Sequence, residues 1–415
     1  MWPVVGDERH NVGVISHDDH LARILAAAPA PRVERLAVSG GSLLGRVLAA
    51  DVRSAVELPA FTNSAMDGYA VHSADVNEPC ELPVVGDIAA GDTRSLSCEP
   101  GSTWRIMTGA PMPEGADAVV PVELTDGGVE RVRFEAAATP GNHIRHAGED
   151  VRVGDLLLPR GTHVAPHHVA VLASSGVTQV DVVARPRVVV VSTGDELRAA
   201  GSELAHGQIH DSNGPMLAAL VEAAGAQLLE QVHLPDDARA VSQLLERAVE
   251  SADVVITTGG VSAGAFDVVK EALIDAGDVT FDKVAMQPGK PQGFGLLGER
   301  RVPVFTLPGN PMSTLVSFHV FVLPTLDAMG GRPPRECERA VVERGWTSPP
   351  GRAQFARVAV RRDDSGRLVI HPNSRQGSHH LGELAEANAL ALVPADVDVV
   401  QADDELDIQM LLTKE

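Results

Sequence analysis

The chain contains few residues of the kinds that several protein classes require. Its three cysteines, Cys80, Cys98 and Cys337, are far apart and lack metal-type spacing, which excludes a disulfide scaffold and a cysteine zinc site. Basic residues number 34 against 56 acidic ones, and a net charge of −22 disfavours nucleic acids and anionic membrane surfaces as partners. The N-terminus has no basic segment followed by an apolar one, and no apolar run approaches the roughly 20 residues of a membrane span. We therefore expect a soluble, cytoplasmic protein.

Lysine is scarce, whereas apolar residues are plentiful. Only four basic residues are lysine, and three of them, Lys270, Lys283 and Lys290, lie close together in the chain. With 415 residues, 44% apolar and 22% charged, the chain is long enough for two to four domains with large cores. The retained lysines are therefore candidate functional cations in an arginine-rich chain.

The spacing of apolar, glycine and proline residues divides the chain into regions with different predicted secondary structure. Ser16 is a predicted cap for a helix over HDDHLARILAAA, and a second helical pattern covers about 42–50. From 59 to 141 glycine and proline alternate with short apolar runs, which is typical of a β-rich domain; more short strands and a helix near 166–173 follow. From about 186 buried strands alternate with amphipathic helices, which predicts an α/β layer with a parallel core. After the linker signal GRPP, short β-like runs predict a small C-terminal β-domain.

The strongest local signal is DVVITTGGVSAGAFD at 253–267, where a predicted strand meets a glycine turn and a helix. Glycines let backbone amides approach an anion, and the helix adds its positive end. Ser262 could donate to a phosphate oxygen, and Asp267 could hold a magnesium ion beside it. A tight turn without any ligand explains the glycines equally well.

Two further loops suit anions. PGKP within 283–295 is a rigid turn that presents Lys290, although a solvated turn with surface lysines is an equally simple interpretation. In FTLPGNPMS at 305–313, Asn310 can cap the next helix, and the free amides of Met312 and Ser313 would then form an anion site. A well-capped helix with no ligand is the alternative.

A fourth loop, STGDEL at 192–197, follows the first buried strand, and HDSN at 210–213 adds further polar groups. Open α/β sheets bind ligands at the carboxyl ends of their strands. Glu196 is a candidate magnesium ligand, although an acidic helix start would look the same. Four such loops together favour a common anionic ligand.

Read in order, the motifs resemble those of one family, the MoeA molybdopterin molybdenumtransferases, to which the C-terminal domain of gephyrin belongs. The similarity is carried by NSAMDGYAV, RIMTGAPMPEGADAVV, RHAGEDV, STGDEL, GQIHDSN, TGGVSAGAFD, QPGKP and LPGNPMS. It covers nearly the whole chain after residue 15 and is weakest in the C-terminal region.

The resemblance implies a multidomain α/β plus β fold. We expect an elongated N-terminal domain from 15–58 with 142–183, an inserted β-rich domain at 59–141, a MogA-like α/β molybdopterin-binding domain at 184–330, and a small C-terminal β-barrel-like domain at 335–415. It also implies a homodimer that makes transient contacts with a MogA-type adenylyltransferase and with molybdoenzyme acceptors.

The implied reaction converts adenylyl-molybdopterin and molybdate into molybdenum cofactor and AMP with Mg2+. By resemblance, the positions that contact the substrates are Ser192, Gly194, Asp211, Asn213, Gly259, Gly260, Ser262, Pro308, Gly309, Ser313, Arg352 and Ser378. The positions that hold magnesium are Glu196 and Asp267. The catalytic positions are Asp67, Thr108, Asp150, Asp236, Lys283 and Lys290.

For some of these residues the resemblance also implies a specific ligand or a position in the dimer. Lys290, Ser313 and Lys283 are expected to attract molybdate, while Asp67 and Thr108 are expected to enter the cleft from the partner subunit. For Asp236, a helix N-cap is an equally good explanation.

One departure from the family pattern concerns Gln287, where many members have a second lysine. The lost cation could weaken oxyanion capture, or Lys283 and Arg301 could compensate for it. The alternatives to an insertase are a non-catalytic paralogue or scaffold that binds molybdopterin, and a molybdopterin adenylyltransferase.

Overall fold

The computed structural model describes residues 14–259, 268–372 and 381–412, without the side chains of 274–277. The described residues fold into two compact units, one formed by Arg35–Val182 and the other by those before residue 35 together with those after residue 182.

The N-terminal part of the chain contains mostly short strands. Its helices are α1 (His17–Ala27) and α2 (Pro166–Ser174), with 3-10 turns at Ser73–Asp75 and Val122–Leu124. Its strands are β1 (Val33–Ala37), β2 (Val52–Arg53), β3 (Asn63–Ser64), β4 (Gly68–Val71), β5 (Cys80–Ile88), β6 (Thr103–Ile106), β7 (Ala118–Pro121), β8 (Arg131–Phe134), β9 (Ile144–Arg145), β10 (Leu156–Leu158) and β11 (Gln179–Val183).

The β-rich texture predicted for 59–141 is confirmed by a five-stranded sheet in the order β7-β4-β6-β5-β8. The predicted Ser16 cap is also confirmed, since its Oγ accepts from the Asp19 amide at 3.0 Å. The helix predicted over 42–50 is wrong. Gly45 in its middle adopts a φ of +69°, outside the helical region, although Leu43 and Leu48 are buried in the core.

The remainder of the chain holds the longer elements. Its helices are α3 (Asn213–Ala223), α4 (Ala238–Ser251), α5 (Val268–Ala276), α6 (Pro311–Ser317) and α7 (Leu323–Met329), with a π turn at Phe318–Val322 and a 3-10 turn at Leu381–Ala385. Its strands are β12 (Arg187–Thr193), β13 (Leu197–Arg198), β14 (Ile209–His210), β15 (Gln227–Leu234), β16 (Val254–Thr258), β17 (Gly277–Lys283), β18 (Met286–Gln287), β19 (Pro291–Leu297), β20 (Val302–Leu307), β21 (Glu338–Val342), β22 (Trp346–Thr347), β23 (Ala353–Arg362), β24 (Leu368–Pro372), β25 (Ala389–Val393), β26 (Val399–Val400) and β27 (Glu405–Met410).

The α/β sheet has the order β15-β12-β16-β20-β19-β17. The first four strands are parallel, as predicted, whereas β19 and β17 are antiparallel. Alternate side chains of β12 are buried in two different hydrophobic cores on opposite faces of the sheet. Val188 and Val190 pack with α3 and the helices after β20, while Val189 and Val191 pack with α4 and α5. The sheet is therefore covered by helices on both faces.

The helical stretch Pro311–Met329 is long and apolar enough to cross a membrane by composition alone. Its apolar window is 89% buried inside the protein, which is the environment of a core helix.

The C-terminal region forms the predicted barrel. Strands β23, β24, β21, β27 and β25 pair in sequence, and β25 pairs again with β23, so the sheet closes. The short strand β18 adds to β23 in parallel, with Gln287 opposite Gln354. The chain between β17 and β19 is thereby attached to the barrel.

Candidate functional site

Three loops converge at the carboxyl edge of the α/β sheet. Because β12, β16 and β20 are parallel neighbours, the loops after them lie side by side. Gly259 adopts a φ of +93°, and a Cβ there would lie 2.7 Å from the carbonyl oxygen of Thr193. A Cβ at Gly309 would lie 3.4 Å from the Gly259 Cα. Glycine is therefore required at 259 both by its backbone angle and by close packing.

Asn213, the first residue of α3, ties these loops together. Its Nδ2 donates to Thr258 Oγ1 at 3.0 Å and to the Gly309 carbonyl at 2.7 Å. Its Oδ1 and the hydroxyl of Thr193 are buried and have no partner among the residues described. Unpaired buried oxygens cost free energy, so both atoms are suited to a ligand that donates hydrogen bonds.

The third loop is fixed by paired hydroxyls. Thr314 Oγ1 donates to the Pro308 carbonyl at 2.6 Å, and Thr258 Oγ1 donates to the same oxygen at 3.3 Å. Thr258, Thr314 and Thr193 were not predicted as site residues. For Thr193 and Thr258, the signal that could have identified them is a hydroxyl at the last residue of a buried strand, whereas Thr314 lies in α6.

Ser192 and Asp211 form a buried pair behind the loops. Ser192 Oγ donates to Asp211 Oδ2 at 2.7 Å, and the Gly214 amide donates to Oδ1 at 3.0 Å. Ser192 is fully buried, so in this conformation it holds Asp211 instead of facing solvent.

Acidic side chains cluster beyond β12. The Glu196 carboxylate lies over Gly194, where a Cβ would come within 2.7 Å of Oε2. The Asp195 amide donates to Asp236 Oδ2 at 3.3 Å, and the Asp236 amide donates to Asp195 Oδ1 at 3.1 Å. Asp236 is therefore not the cap of α4. That cap is Asp237, which accepts from the Arg239 amide at 2.9 Å.

The two predicted lysines lie at one end of the antiparallel hairpin. Lys283 pairs with Pro291, and the Val284 amide donates to the Lys290 carbonyl at 2.8 Å, so the two lysine backbones are adjacent. Both residues are exposed. The Lys283 carbonyl also accepts from the Ile15 amide at 3.0 Å, which attaches the N-terminal segment to the hairpin.

Gln287 is close to a cation that belongs to the barrel. Arg352 Nη1 donates to Gln287 Oε1 at 3.2 Å, and the pairing of β18 with β23 holds the two backbones in register. Compensation by Arg301 is wrong, because Arg301 lies in the turn between β19 and β20, at the other end of β19 from Lys290. The neighbouring cation is Arg352.

The anion site predicted at the free amides after Asn310 is also wrong. The Asn310 cap is confirmed, but its Oδ1 accepts from both the Met312 amide at 3.0 Å and the Ser313 amide at 3.4 Å. The cap itself occupies the two amides. The hydroxyl of Ser313 has no partner among the described residues and is the group left for a ligand.

In the other unit, two predicted residues meet directly. Asp67 Oδ1 accepts from the Thr108 amide at 2.6 Å and from the Thr108 hydroxyl at 2.7 Å. These two hydrogen bonds lower the pKa of the exposed Asp67 carboxyl. Asp150 is exposed in the same unit, and its amide donates to the Leu58 carbonyl at 3.0 Å.

Four predicted positions, Gly260, Ser262, Asp267 and Ser378, lie outside the described residues. Within 14–259, 268–372 and 381–412, no group of three or more histidine, cysteine, aspartate or glutamate side chains could hold a metal ion.

The fold and the site define a class: a multidomain α/β-plus-β protein with a polar loop cluster and exposed cations at the carboxyl edge of its sheet. Three family models match in order: the MoeA N-terminal region (domain I and II) at 15–176, a probable molybdopterin binding domain at 189–328, and the MoeA C-terminal region (domain IV) at 339–411. The chain belongs to the MoeA family.

Relatives of known name and solved structures are similar to this protein over most of its length. Molybdopterin molybdenumtransferase 2 of Mycobacterium tuberculosis is 46% identical over 377 residues, covering 88% of this chain and 92% of the relative. Molybdopterin molybdenumtransferase of Haemophilus influenzae is 35% identical, covering 88% and 91%. The crystal structure of a molybdopterin biosynthesis MoeA protein from Pyrococcus horikosii superposes with a TM-score of 0.81 at 29% identity, covering 96% of this chain and 99% of that one.

Proposed function

We propose that this protein is a molybdopterin molybdenumtransferase that converts adenylyl-molybdopterin and molybdate into molybdenum cofactor and AMP. The observation that carries the proposal is the grouping, in one structural unit, of a strand-end loop cluster with Lys283, Lys290 and Arg352. Relatives that match about nine-tenths of the chain have names that describe this transfer. Neither a non-catalytic scaffold nor an adenylyltransferase is favoured by those relatives.

Capture of molybdate is assigned to the hairpin and the barrel. Lys283 ends β17 and Lys290 immediately precedes the neighbouring strand β19; both carry exposed ammonium groups, and such groups bind an oxyanion as point charges. Arg352 adds a guanidinium whose orientation is set by Gln287. Gln287 therefore replaces the usual second lysine by holding a neighbouring cation in place.

The pterin and the adenylate are assigned to the strand-end loops. Gly259 and Gly309 let the loop backbones pack closely against each other, and Asn213 keeps the loops together. Ser192 and Asp211 act by positioning α3, since the Gly214 amide of its first turn binds Asp211. The Ser313 hydroxyl would donate to a substrate oxygen.

The chemistry of the donor set fits magnesium. Glu196 is an exposed carboxylate, and Mg2+ is commonly held by one or two carboxylates with substrate phosphate oxygens and water. Glu196, with Asp267, would hold the ion, which would neutralise charge at the phosphate anhydride. Asp195 and Asp236 fix the loop that bears Glu196.

We further propose a homodimer in which Asp67 and Thr108 reach the partner's cleft. Asp67, whose carboxyl pKa is lowered by its hydrogen bonds with Thr108, is an ionised carboxylate near neutral pH. An ionised Asp67 could bind a substrate N–H, or assist magnesium, without a proton change. Transient contacts with a MogA-type adenylyltransferase and with acceptor enzymes belong to the same proposal.

A reconstitution assay tests this function. Purified protein is mixed with adenylyl-molybdopterin, magnesium and molybdate, and the product is transferred to an apo-molybdoenzyme. We expect acceptor activity that requires both molybdate and this protein. Tight pterin binding without any acceptor activity would move the chain to the scaffold class.

A further inference from the structure

The amino edge of the α/β sheet holds a second charged cluster. Asp253 precedes β16 and its side chain is 5% exposed. Arg187, the first residue of β12, donates to it three times: from its amide and its Nε to Oδ2, and from its Nη2 to Oδ1, each at 3.0 Å. The strand ends are locked together by this pair.

Two more guanidinium groups reach the same carboxylate. Arg32 Nη2 donates to Oδ2 at 2.7 Å, and Arg300 Nη2 donates to Oδ1 at 3.3 Å. A carboxylate offers about four lone-pair sites, so Asp253 has no acceptor capacity left. Burial acts to raise the pKa of Asp253, but hydrogen bonds from Arg187 and the nearby arginine charges hold it below its usual range. Three positive charges therefore surround one negative charge.

A cavity of about 150 Å³ adjoins this cluster. Its lining includes the charged residues Arg32, Asp253 and Arg300 and the apolar residues Pro29, Val302 and Met329. One water needs only about 10–15 Å³ by a comparable measure, so the cavity admits a tetrahedral oxyanion. Arg300 is held rigidly at its wall, because its Nη1 donates to the Val249 and Glu250 carbonyls at 2.8 Å each.

We propose that the cavity beside Arg32, Arg187 and Arg300 binds a small doubly charged oxyanion of phosphate size. The excess of two positive charges matches such an ion, and guanidinium groups are the preferred partners of phosphate-like oxygens. Within the described part of the chain, Nε and Nη1 of Arg32 have no hydrogen-bond partner and can turn to the ion.

This cavity is separate from the proposed molybdate site. The parallel strands between the two sheet edges have five to seven residues, which corresponds to roughly 17–23 Å at about 3.3 Å per residue. Binding here is a property of the chain that does not depend on the transferase proposal, and it can be measured without any turnover.

Titration calorimetry with inorganic phosphate tests the site. The full-length protein should bind one phosphate, and Arg32→Ala should weaken binding about tenfold, as expected for loss of a charge-assisted hydrogen bond. Arg247→Ala is the matched control, because Arg247 is an exposed arginine of the same unit that forms a surface ion pair with Glu230. Phosphate should also raise the melting temperature of the wild type and of Arg247→Ala, but much less that of Arg32→Ala.

Two further experiments identify the preferred oxyanion and distinguish this cavity from the proposed molybdate site. Competition of phosphate with sulfate and with molybdate tells which oxyanion the cavity prefers. Lys290→Ala, which alters the proposed molybdate site, should leave phosphate binding unchanged. The proposal is overturned if phosphate does not bind saturably, or if binding is lost in Lys290→Ala and retained in Arg32→Ala.

Discussion

The strand-end loops and the lysine hairpin belong to the same unit but are built in opposite ways. In the loops, polar groups are buried and tied to one another, as with Asn213 and the Gly309 carbonyl. On the hairpin, Lys283 and Lys290 are exposed, and in the part of the chain described no ion pair fixes either ammonium. The loops provide a fixed shape, whereas the hairpin provides charge. Substitutions in the strand-end loops should therefore lower both stability and pterin binding. Substitutions on the lysine hairpin should lower only the affinity for molybdate.

The largest effect is expected from Gly259→Ala. The new Cβ would meet the Thr193 carbonyl and would require a φ that non-glycine residues disfavour, so we expect a loss of about 1–3 kcal/mol in stability and much weaker pterin binding. Chemical denaturation and a pterin-binding titration measure the two losses. Gly201→Ala is the matched control: its φ is +85° but no atom lies within 4 Å of its Cβ, so it shows the backbone cost alone. Equal losses in both variants would mean that the loops are not closely packed.

The next prediction concerns the pH dependence of stability that is caused by a buried histidine. His319 lies in the core, and neither ring nitrogen has a hydrogen-bond partner among the described residues. Burial, aided by the positive charge of Arg335, lowers its pKa to about 4. The unfolded chain then binds the proton more readily, so stability should fall as pH decreases from about 6.5 towards 4, by up to a few kcal/mol. Urea unfolding at several pH values should show a weaker dependence in His319→Gln, and an unchanged dependence would contradict the assignment.

Gln287→Glu should have a smaller effect, which is limited to the affinity for molybdate. The new carboxylate would pair with Arg352 and neutralise it, so the molybdate concentration for half-maximal rate should rise several-fold, equivalent to about 1 kcal/mol. Affinity for the pterin and the melting temperature should stay the same. Gln287→Lys serves as the comparison, since it restores the usual cation while repelling Arg352. An identical molybdate response in all three proteins would show that Arg352 does not contribute.

The smallest effect concerns the net charge. With a charge of −22, long-range repulsion should slow the encounter with an anionic substrate, and salt screens this repulsion beyond about 8 Å. Stopped-flow association rates should therefore rise modestly with added salt. Rates that fall with salt would indicate that the local cations already steer the substrate.

Much of the fold could be predicted because periodic patterns and caps are local. The helix after Ser16 and strand β12 follow from residues adjacent in the chain. The edge strand β15 has no buried-strand pattern because most of its residues are exposed, and β19 is hard to predict because Gly293 and Gly295 look like turn residues. A Cβ at Gly295 would collide with the Asp278 carbonyl, so close strand packing explains that glycine.

The site was predictable in position but not in its pairings. Strand-end loops can be located from the chain, and the Asp67–Thr108 pair lies within two quoted motifs. The contacts of Asn213 with Gly309 and of Gln287 with Arg352 join residues far apart in the chain, so they depend on the tertiary fold. The free amides after Asn310 failed as a prediction because the cap uses them itself.

Molybdate capture and pterin binding are assigned to separate elements of the structure, and Lys290→Ala tests this separation most directly. Molybdate-dependent AMP release from adenylyl-molybdopterin would be followed in the wild type, in Lys290→Ala and in the control Arg247→Ala. We predict that Lys290→Ala raises the half-saturating molybdate concentration about tenfold, the loss of one charged contact, while pterin affinity stays unchanged. An equal loss of molybdate and pterin binding, or no loss of either, would contradict the assignment of the hairpin to the oxyanion.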